Sequence, residues 1–516
     1  MNLLSVLLAL SPVLIILLLL TLRRTAADTA GVIGWVAAVL VAWLYFKTPP
    51  GVILSASLAG VVASLPIALV VATSILQVTI LIETGAIARI VALVKSVAVG
   101  DQGVQIMLLN VGCGTLLTAL GAVPVSILPP ILIALGYTPF AAIALPAIGY
   151  DALCTYALLG IPVVVFAGFV NLPVGEAGEY FARFMPVISS GIALGMLWLV
   201  GRGAMLRRGF LPALLAGLTA GLVCIGMTAA NLVTLTGIAA GLAVIAVMLV
   251  YLRLRGRPLR DCTVLSQADR AAERQLPLWA ALSPWILLTL CALLVNAPFS
   301  PFFDLTFRRW AMPVEIIPGA PEKVRPLWQA YFWILVSTLL TLPLLRPTRA
   351  QIVTAWRKWL KRAPRPVLAA AVFFAIAYVL NHSGKGADWR LADPSRNMIY
   401  VLATAAAATL GKLYPFVAPF LGLLGGFISG SETSSIAMLT ALHRQTAEQI
   451  GADGLLIAAA SGIGGGLASV ISPAKLQNAS AAIDRIGEEA QVLPKTFVIA
   501  LIITAVGAGM ALLWAF

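Results

Sequence analysis

Charged residues are scarce in this chain. They make up 10% of its 516 residues, and 61% of the residues are hydrophobic. A soluble domain carries about 25% charged residues. Together with a mean hydropathy of +1.01, this composition excludes a large soluble enzyme and predicts an all-α polytopic membrane protein.

Residues that bind metals or form disulfides are also few. The sequence has two histidines and five cysteines, and no two cysteines form a CxxC pair. This pattern excludes a disulfide framework and gives no metal-ligand spacing. We therefore expect neither a cofactor nor a bound metal.

Sequence signals of enzymes are missing as well, since the chain has no Walker A and no HExxH motif. The stretch "GIGGG" at 462–466 resembles a glycine fingerprint, but it lies in an apolar segment without a βαβ unit. Helix packing explains it better. The longest polar stretch, 297–326, is too short and too rich in proline to fold as a soluble domain. We therefore predict a transporter driven by an ion or substrate gradient, not an enzyme.

The basic residues follow the pattern of a membrane protein. The net charge is +14, but Arg and Lys concentrate in loops at 202–208, 253–274 and 346–365. Positive residues mark cytoplasmic loops, so the excess indicates topology and contact with the lipid bilayer, not nucleic acid. The third cluster, with Trp356 and Trp359, is typical of an amphipathic helix at the cytoplasmic surface.

Apolar segments of spanning length occupy most of the chain. We expect about 12 to 14 transmembrane segments plus re-entrant pieces, with the N-terminus outside. The runs at 51–82 and 138–172 are too long for a single crossing. Pro66 can divide the first run, and Gly160 with Pro162 interrupts the second.

Two regions repeat one pattern at a fixed spacing. "GCGTLLTALGAVPVSILPPI" begins at Gly112 and "GLLGGFISGSETSSIAMLTA" begins at Gly422, 310 residues later. Each breaks midway at small and hydroxyl residues, and each is followed by a second apolar run. We predict an N-terminal half, 1–260, with a hairpin near 104–172, and a C-terminal half, 261–516, with a hairpin near 413–490. Chance similarity between two glycine-rich regions is the alternative.

Such paired breaks point to a binding site. Backbone groups left unpaired in a bilayer are tolerated only where protein or a water-filled cavity satisfies them. Matched breaks in two halves are the best sequence indication of a transporter binding site. The N-termini of half-helices carry partial positive charge and unpaired N–H groups, which suit an anionic substrate.

Ionisable residues inside the apolar segments are rare. Glu83, Asp151, Glu432 and Lys475 stand out, and each costs at least about 2.5 kcal/mol at mid-bilayer unless it is paired or hydrated. Glu432 lies at the second break, where it can be a site residue or only a helix cap. Lys475 can pair with a carboxylate or extend to an interface. Asp151 can titrate or only form a structural hydrogen bond.

The second region carries a family resemblance. "PFLGLLGGFISGSETSSIAMLTAL", followed by "EQIGADGLLIAAASGIGGGLASVISP", resembles the C-terminal signature of the lactate permease family. The shared order of motifs extends over roughly 80–480. The resemblance implies a proton-coupled symporter of lactate and related 2-hydroxy monocarboxylates in a bacterial inner membrane. It also implies two inverted repeats with re-entrant hairpins and an elevator-type movement.

The first half departs from the family pattern. Its hairpin tip, "TALGAVP" at 118–124, lacks the acid found there in the family, whereas Asp151 is an acid that the family does not have. We hypothesise that Asp151 compensates for the missing acid. Lys475 also replaces a family serine. At the second tip, the family motif matches with Glu432 in place of aspartate.

We therefore expect a site that joins both hairpin tips. Asp151 or Glu432 is expected to carry the coupled proton. A sodium-coupled carrier of another organic anion is the alternative, a membrane-embedded enzyme is a remote one, and a homodimer is left open. The residues expected to bind the substrate are Thr118, Ser126, Gly430, Ser431, Glu432, Thr433, Ser434, Ser435, Ser472 and Lys475.

Overall fold

The computed structural model describes residues 3–21, 23, 25–97, 101–121, 124–149, 152–296, 300–483, 485 and 487–516. Almost all of its regular structure is helical, since helices satisfy their own backbone hydrogen bonds in lipid. The α-helices up to residue 260 are α1 (Leu3–Thr21), α2 (Ala27–Leu44), α3 (Pro50–Glu83), α4 (Ala86–Ser96), α5 (Gln102–Ile106), α6 (Gly114–Ala119), α7 (Pro124–Ala134), α8 (Pro139–Gly149), α9 (Ala157–Val170), α10 (Val174–Ala182), α11 (Met185–Ala229) and α12 (Thr236–Leu254).

The remainder of the chain continues in the same way. Its α-helices are α13 (Gln267–Gln275), α14 (Leu278–Asn296), α15 (Pro301–Phe303), α16 (Ala330–Leu345), α17 (Arg349–Arg362), α18 (Pro364–His382), α19 (Met398–Leu410), α20 (Tyr414–Ser429), α21 (Glu432–Ile450), α22 (Gly454–Leu467), α23 (Pro473–Ala481) and α24 (Glu489–Trp514). Two π-helical segments are Met107–Cys113 and Asp304–Arg309, and the 3-10 turns are Cys154–Tyr156, Val233–Leu235, Cys262–Val264, Pro394–Arg396, Gly411–Leu413 and Ala468–Ile471.

Many of these helices can cross a membrane. In the described ranges, eight helical stretches are long and apolar enough, and α8 with α9 forms a ninth that is bent by 63°. Three shorter apolar helices, α1, α2 and α16, add to them. The multi-pass, all-helical membrane fold predicted from the sequence is confirmed. The division into halves at residue 260 stays a prediction.

Of two long helices, one is interrupted and the other is continuous. α11 has 45 residues, but Gly201 and Arg202 have non-helical backbone angles, so it consists of two segments. α3 runs through Pro66 for 34 residues without a break. The sequence-based expectation of a division at Pro66 is therefore wrong, because a helix can continue past a single proline when neighbouring groups satisfy the freed carbonyl.

α21 lies where two groups of helices meet. In one group, α3 packs against α16, α17 and α18, and α18 also packs against α2. In the other, α20 packs against α22 and α24. α21 contacts α18 of the first group, α20 and α22 of the second, and α9 from the first half of the chain. The first residue of α21 is therefore surrounded by elements from distant parts of the sequence.

A small β-hairpin interrupts the long polar stretch. β1 (Met312–Ile317) and β2 (Ala320–Val324) pair antiparallel, and Gly319 at the turn has a φ of +74°. The hairpin packs against α3, and Tyr378 of α18 donates a hydrogen bond to Glu322. Burial raises the pKa of Glu322 even though this hydrogen bond opposes the effect. The sequence did not predict these strands.

A polar cluster fixes the loop between α12 and α14 against α4. Lys95 Nζ lies 2.9 Å from Asp269 Oδ1, and Arg89 lies 3.1 Å from Glu273. Ser266 and Asp269 form a capping box at the start of α13. Burial alone would raise the pKa of Asp269, but hydrogen bonds from Lys95 and Ser266 outweigh it and hold that pKa below its usual range.

The free energy of unfolding of the Asp269→Asn variant at neutral pH should therefore be lower by about 1.5–3 kcal/mol, as is usual when a hydrogen bond to a charged group is lost. A depressed pKa stabilises the fold above the unfolded value, about 3.9, and the effect is lost as pH falls through the folded value. Thermal unfolding in detergent at pH 7 and at a series of pH values below about 3.9 tests this. Equal midpoints at pH 7, or a deficit that does not shrink as the pH falls through this range, would contradict it. In a Lys95→Met background the substitution should cost less.

Candidate functional site

The second hairpin turns at Gly430. α20 ends there with a φ of +69°, a left-handed conformation that glycine adopts without steric cost. Ser431 then has extended backbone angles, and its Oγ accepts a hydrogen bond from the Ser434 N–H at 3.4 Å. Glu432 is the first residue of α21, where the positive end of a helix dipole favours a carboxylate.

The carboxyl group of Glu432 is buried and only half satisfied. The residue is 3% exposed, and its Oε1 accepts a hydrogen bond of 2.7 Å from Thr155 Oγ1. Its Oε2 is buried and makes no hydrogen bond of standard geometry in the described part of the chain, and the Cys154 side chain lies against the carboxyl group. A Cβ on Gly466 would lie 2.6 Å from Oε2, so a larger residue there would displace the carboxylate.

Thr155 comes from the break between α8 and α9. Leu158, Leu159 and Gly160 have positive φ angles of 52°, 57° and 74°, which costs energy for the two leucines. Two hydrogen bonds anchor the break to its surroundings: Tyr156 Oη donates to the Gly178 carbonyl at 3.0 Å, and Ser189 Oγ donates to the Ala152 carbonyl at 2.8 Å. The strained turn places Thr155 against Glu432, although 277 residues separate them.

A cation lies next to this acid. Lys475, in the first turn of α23, donates a hydrogen bond through Nζ to Ser469 Oγ. Ser469 Oγ is 3.9 Å from Cys154 Sγ, and Lys475 interacts electrostatically with the carboxylate of Glu432. The breaks after α8, α20 and α22 therefore meet around one acid and one base.

The second hairpin is held by a buried imidazole. His443 Nδ1 and the Tyr414 hydroxyl are 2.7 Å apart, and His443 Nε2 and Ser461 Oγ are also 2.7 Å apart. His443 is 0% exposed. One side chain on α21 therefore bridges α20 and α22, which fixes the helix that carries Glu432.

The predicted residues of the second hairpin differ in the contacts that their side chains make. Glu432 and Lys475 lie together, and the Ser472 Oγ is 4.0 Å from the position of a Cβ on Gly430. The hydroxyls of Thr433 and Ser434 make no hydrogen bond within the described ranges. Ser435 Oγ instead donates to the Gly422 carbonyl at 3.0 Å, which is a packing contact between α20 and α21.

Among the predicted site residues of the first half, Thr118 alone has a described side chain. Thr118 Oγ1 donates to the carbonyl of Gly114 in its own helix at 2.8 Å and makes no hydrogen bond to the described residues of the second hairpin. Asp151 and the side chain of Ser126 lie outside the described residues. Their roles stay predictions, as do those of the second-hairpin residues.

Sequence reasoning missed four residues of the site. Thr155, Cys154, Ser469 and Gly466 are polar or small residues in apolar runs, and none is an aspartate, glutamate, lysine or arginine that would stand out there. The stretch "GYDALCT" ends at Thr155, so a hydroxyl four residues after Asp151 was the one available signal.

Comparison with known proteins matches this chain to permeases. The L-lactate permease family model matches residues 5–516. The chain is 27% identical to the glycolate permease GlcA of Escherichia coli K12, over 99% of this chain and 96% of the relative. It is 26% identical to the L-lactate permease of Bacillus subtilis, over 95% and 92%.

Two solved structures are also similar. The YdaH transporter of Alcanivorax borkumensis has a TM-score of 0.44 at 14% identity, covering 89% of this chain and 87% of that one. Neisseria gonorrhoeae MtrF has a TM-score of 0.41 at 14% identity, covering 95% of each chain.

The Gly466→Ala variant should lose stability, because its Cβ would lie 2.6 Å from Glu432 Oε2 and overpacking of this kind costs about 1–3 kcal/mol. Thermal unfolding in detergent measures the loss. Gly168→Ala is the matched control, since a Cβ at that helical glycine meets nothing within 4 Å. Equal midpoints for the two variants would mean that Gly466 does not confine the carboxylate.

Proposed function

This chain belongs to the L-lactate permease family, and we propose that it couples the entry of lactate or a related small 2-hydroxy monocarboxylate to the entry of a proton. As a member of a permease family, this multi-pass membrane protein is a transporter and not an enzyme. The substrate class is taken from the relatives named as L-lactate and glycolate permeases. The observation that carries proton coupling is the buried carboxyl group of Glu432, with one oxygen bonded to Thr155 and the other without a hydrogen bond of standard geometry within the described ranges.

Proton coupling follows from like-charge repulsion. A monocarboxylate that enters beside an ionised Glu432 places two negative charges together. At 4 Å and an effective dielectric constant of 20, two unit charges repel by about 4 kcal/mol. Protonation of Glu432 removes this cost, so the anion and the proton enter more favourably together than either does alone.

The substrate carboxylate needs donors of its own. Lys475 supplies a positive charge near Glu432, and a charge-assisted hydrogen bond from an ammonium group is about twice as strong as a neutral one. The first turn of α21 adds N–H groups, and the hydroxyls of Thr433 and Ser434 are not committed to other described residues. We propose these groups as the anion-binding part of the site.

The Glu432→Gln variant should abolish proton-driven uptake, while substrate exchange across the membrane persists. The amide keeps the size of the side chain and a partner for Thr155, but it cannot bind and release a proton. Uptake of labelled lactate into proteoliposomes, with an imposed pH gradient or with internal lactate, measures both modes.

The matched control for this experiment is Glu448→Gln, the same change at an exposed residue of the same helix, which should leave both modes intact. Retained proton-driven uptake by Glu432→Gln would refute the coupling role. Loss of both modes together with a lower unfolding temperature would assign Glu432 a role in folding only.

Asp151 is proposed to share the coupled proton, as compensation for the acid absent from the first hairpin tip. If it does, Asp151→Asn shifts the pH at which uptake is half-maximal, since one of two interacting acids is removed. Initial rates of uptake between pH 5 and 8 measure the shift. A pH profile identical to that of the wild type would contradict the compensation.

A sodium-coupled carrier is the second candidate, and one observation favours it. Asn110 Oδ1, in the π-helical segment Met107–Cys113, and Thr115 Oγ1 are buried without a hydrogen-bond partner in the described part of the chain. Oxygen atoms of this kind suit a hard cation. Replacing sodium with potassium at fixed pH separates the candidates, because proton symport persists and sodium symport stops. An elevator-type movement and a homodimer stay predictions.

A further inference from the structure

α17 is an amphipathic helix with three distinct faces. It begins at a capping box formed by Thr348 and Gln351, which fixes its start, and it leads directly into the membrane helix α18. One face contacts the protein, one is apolar and exposed, and one is basic. No residue of α17 belongs to the site proposed for the substrate and the proton.

The protein-facing side fastens α17 to α3. Trp359 Nε1 donates to the carbonyl of Ala72 at 2.8 Å, and Gln351 Nε2 donates to the carbonyl of Glu83 at 2.7 Å. Lys358 forms an ion pair with the carboxylate of Glu83. These contacts hold α17 alongside the C-terminal part of α3, between Ala72 and Glu83.

The second face is apolar and uncovered. Ile352, Trp356 and Leu360 are 43%, 50% and 51% exposed, and their spacing of four residues places them in one line along the helix. The rings of Trp356 and Trp359 are 4.6 Å apart. Tryptophan is enriched at the level of lipid headgroups, so this line fits the boundary between headgroups and acyl chains.

The third face is basic. Arg357 and Lys361 lie on it, and Arg362 follows at the last residue of the helix. All three are exposed and form no ion pair with any described residue. Arg357 and Lys361 are also four residues apart and therefore neighbours on the helix surface. The sequence has no acidic residue between Glu322 and Asp388, and the carboxylates of Glu83 and Asp28 pair with Lys358 and Arg365 instead of with this face.

We infer that α17 binds the headgroups of anionic phospholipids in the leaflet beside it, through Arg357, Lys361 and Arg362. Charge complementarity identifies the partner, and the exposed apolar line next to the basic face places that partner in a membrane rather than in solution. Because α17 is fastened to α3, the bound lipid holds the α3 group of helices at a fixed depth.

Binding of phosphatidylglycerol and phosphatidylcholine to the full-length protein in detergent tests this, by native mass spectrometry. The wild type should retain phosphatidylglycerol in preference. The triple variant R357Q/K361Q/R362Q should bind it on the order of 100-fold more weakly, since each basic residue near a charged surface contributes roughly a factor of five. The charge-conserving variant R357K/K361R/R362K is the matched control and should bind like the wild type.

Three results would overturn the inference. They are equal binding of both lipids to the wild type, unchanged phosphatidylglycerol binding by the triple variant, and displacement of the lipid by soluble glycerol phosphate, which would indicate a site for a free anion. If the triple variant does not fold, Lys361→Gln alone should still weaken binding by about five-fold, and no change there would also count against the inference.

Discussion

The hydrogen bond from Thr155 to Glu432 organises the centre of this protein. It joins the break after α8 to the tip of the second hairpin, and it satisfies one oxygen of a carboxyl group that is buried among apolar helices. Burying such a group without a partner is expensive. The strained backbone at Leu158 and Leu159 is therefore best understood as the means by which a hydroxyl reaches this acid.

Small residues make that arrangement sterically possible. Around the second hairpin, a Cβ at Gly422 would lie 1.8 Å from the Ser461 carbonyl oxygen, and one at Gly465 would lie 2.8 Å from the Cβ of Ser435. The same holds for Gly466 and the Glu432 carboxylate. Helix packing, suggested for "GIGGG" from the sequence, agrees with this close approach, which brings the acid of α21 and the break after α22 into contact.

The sequence was informative where a charged residue lies in an apolar segment. Glu432 and Lys475 stood out because charge is costly in an apolar run, and the break that contains Glu432 was expected from its small and hydroxyl residues between two apolar stretches. Thr155 and Ser469 could not be identified in the same way, since a hydroxyl in a membrane helix commonly bonds to the backbone of its own helix, as Thr118 and Thr440 do. The β-hairpin was missed because its strands are short and contain two prolines.

The central claim is that Thr155 and Glu432 act as one unit in proton-coupled transport. A double-mutant cycle with Thr155→Val and Glu432→Asp, which keeps an acid at this position, tests it most directly when measured as proton-driven lactate uptake into proteoliposomes. If the two residues act together, the double variant transports no more slowly than Glu432→Asp alone, because the hydroxyl has no further effect once the shorter acid has lost its hydrogen bond. Independent effects that multiply in the double variant would contradict the claim.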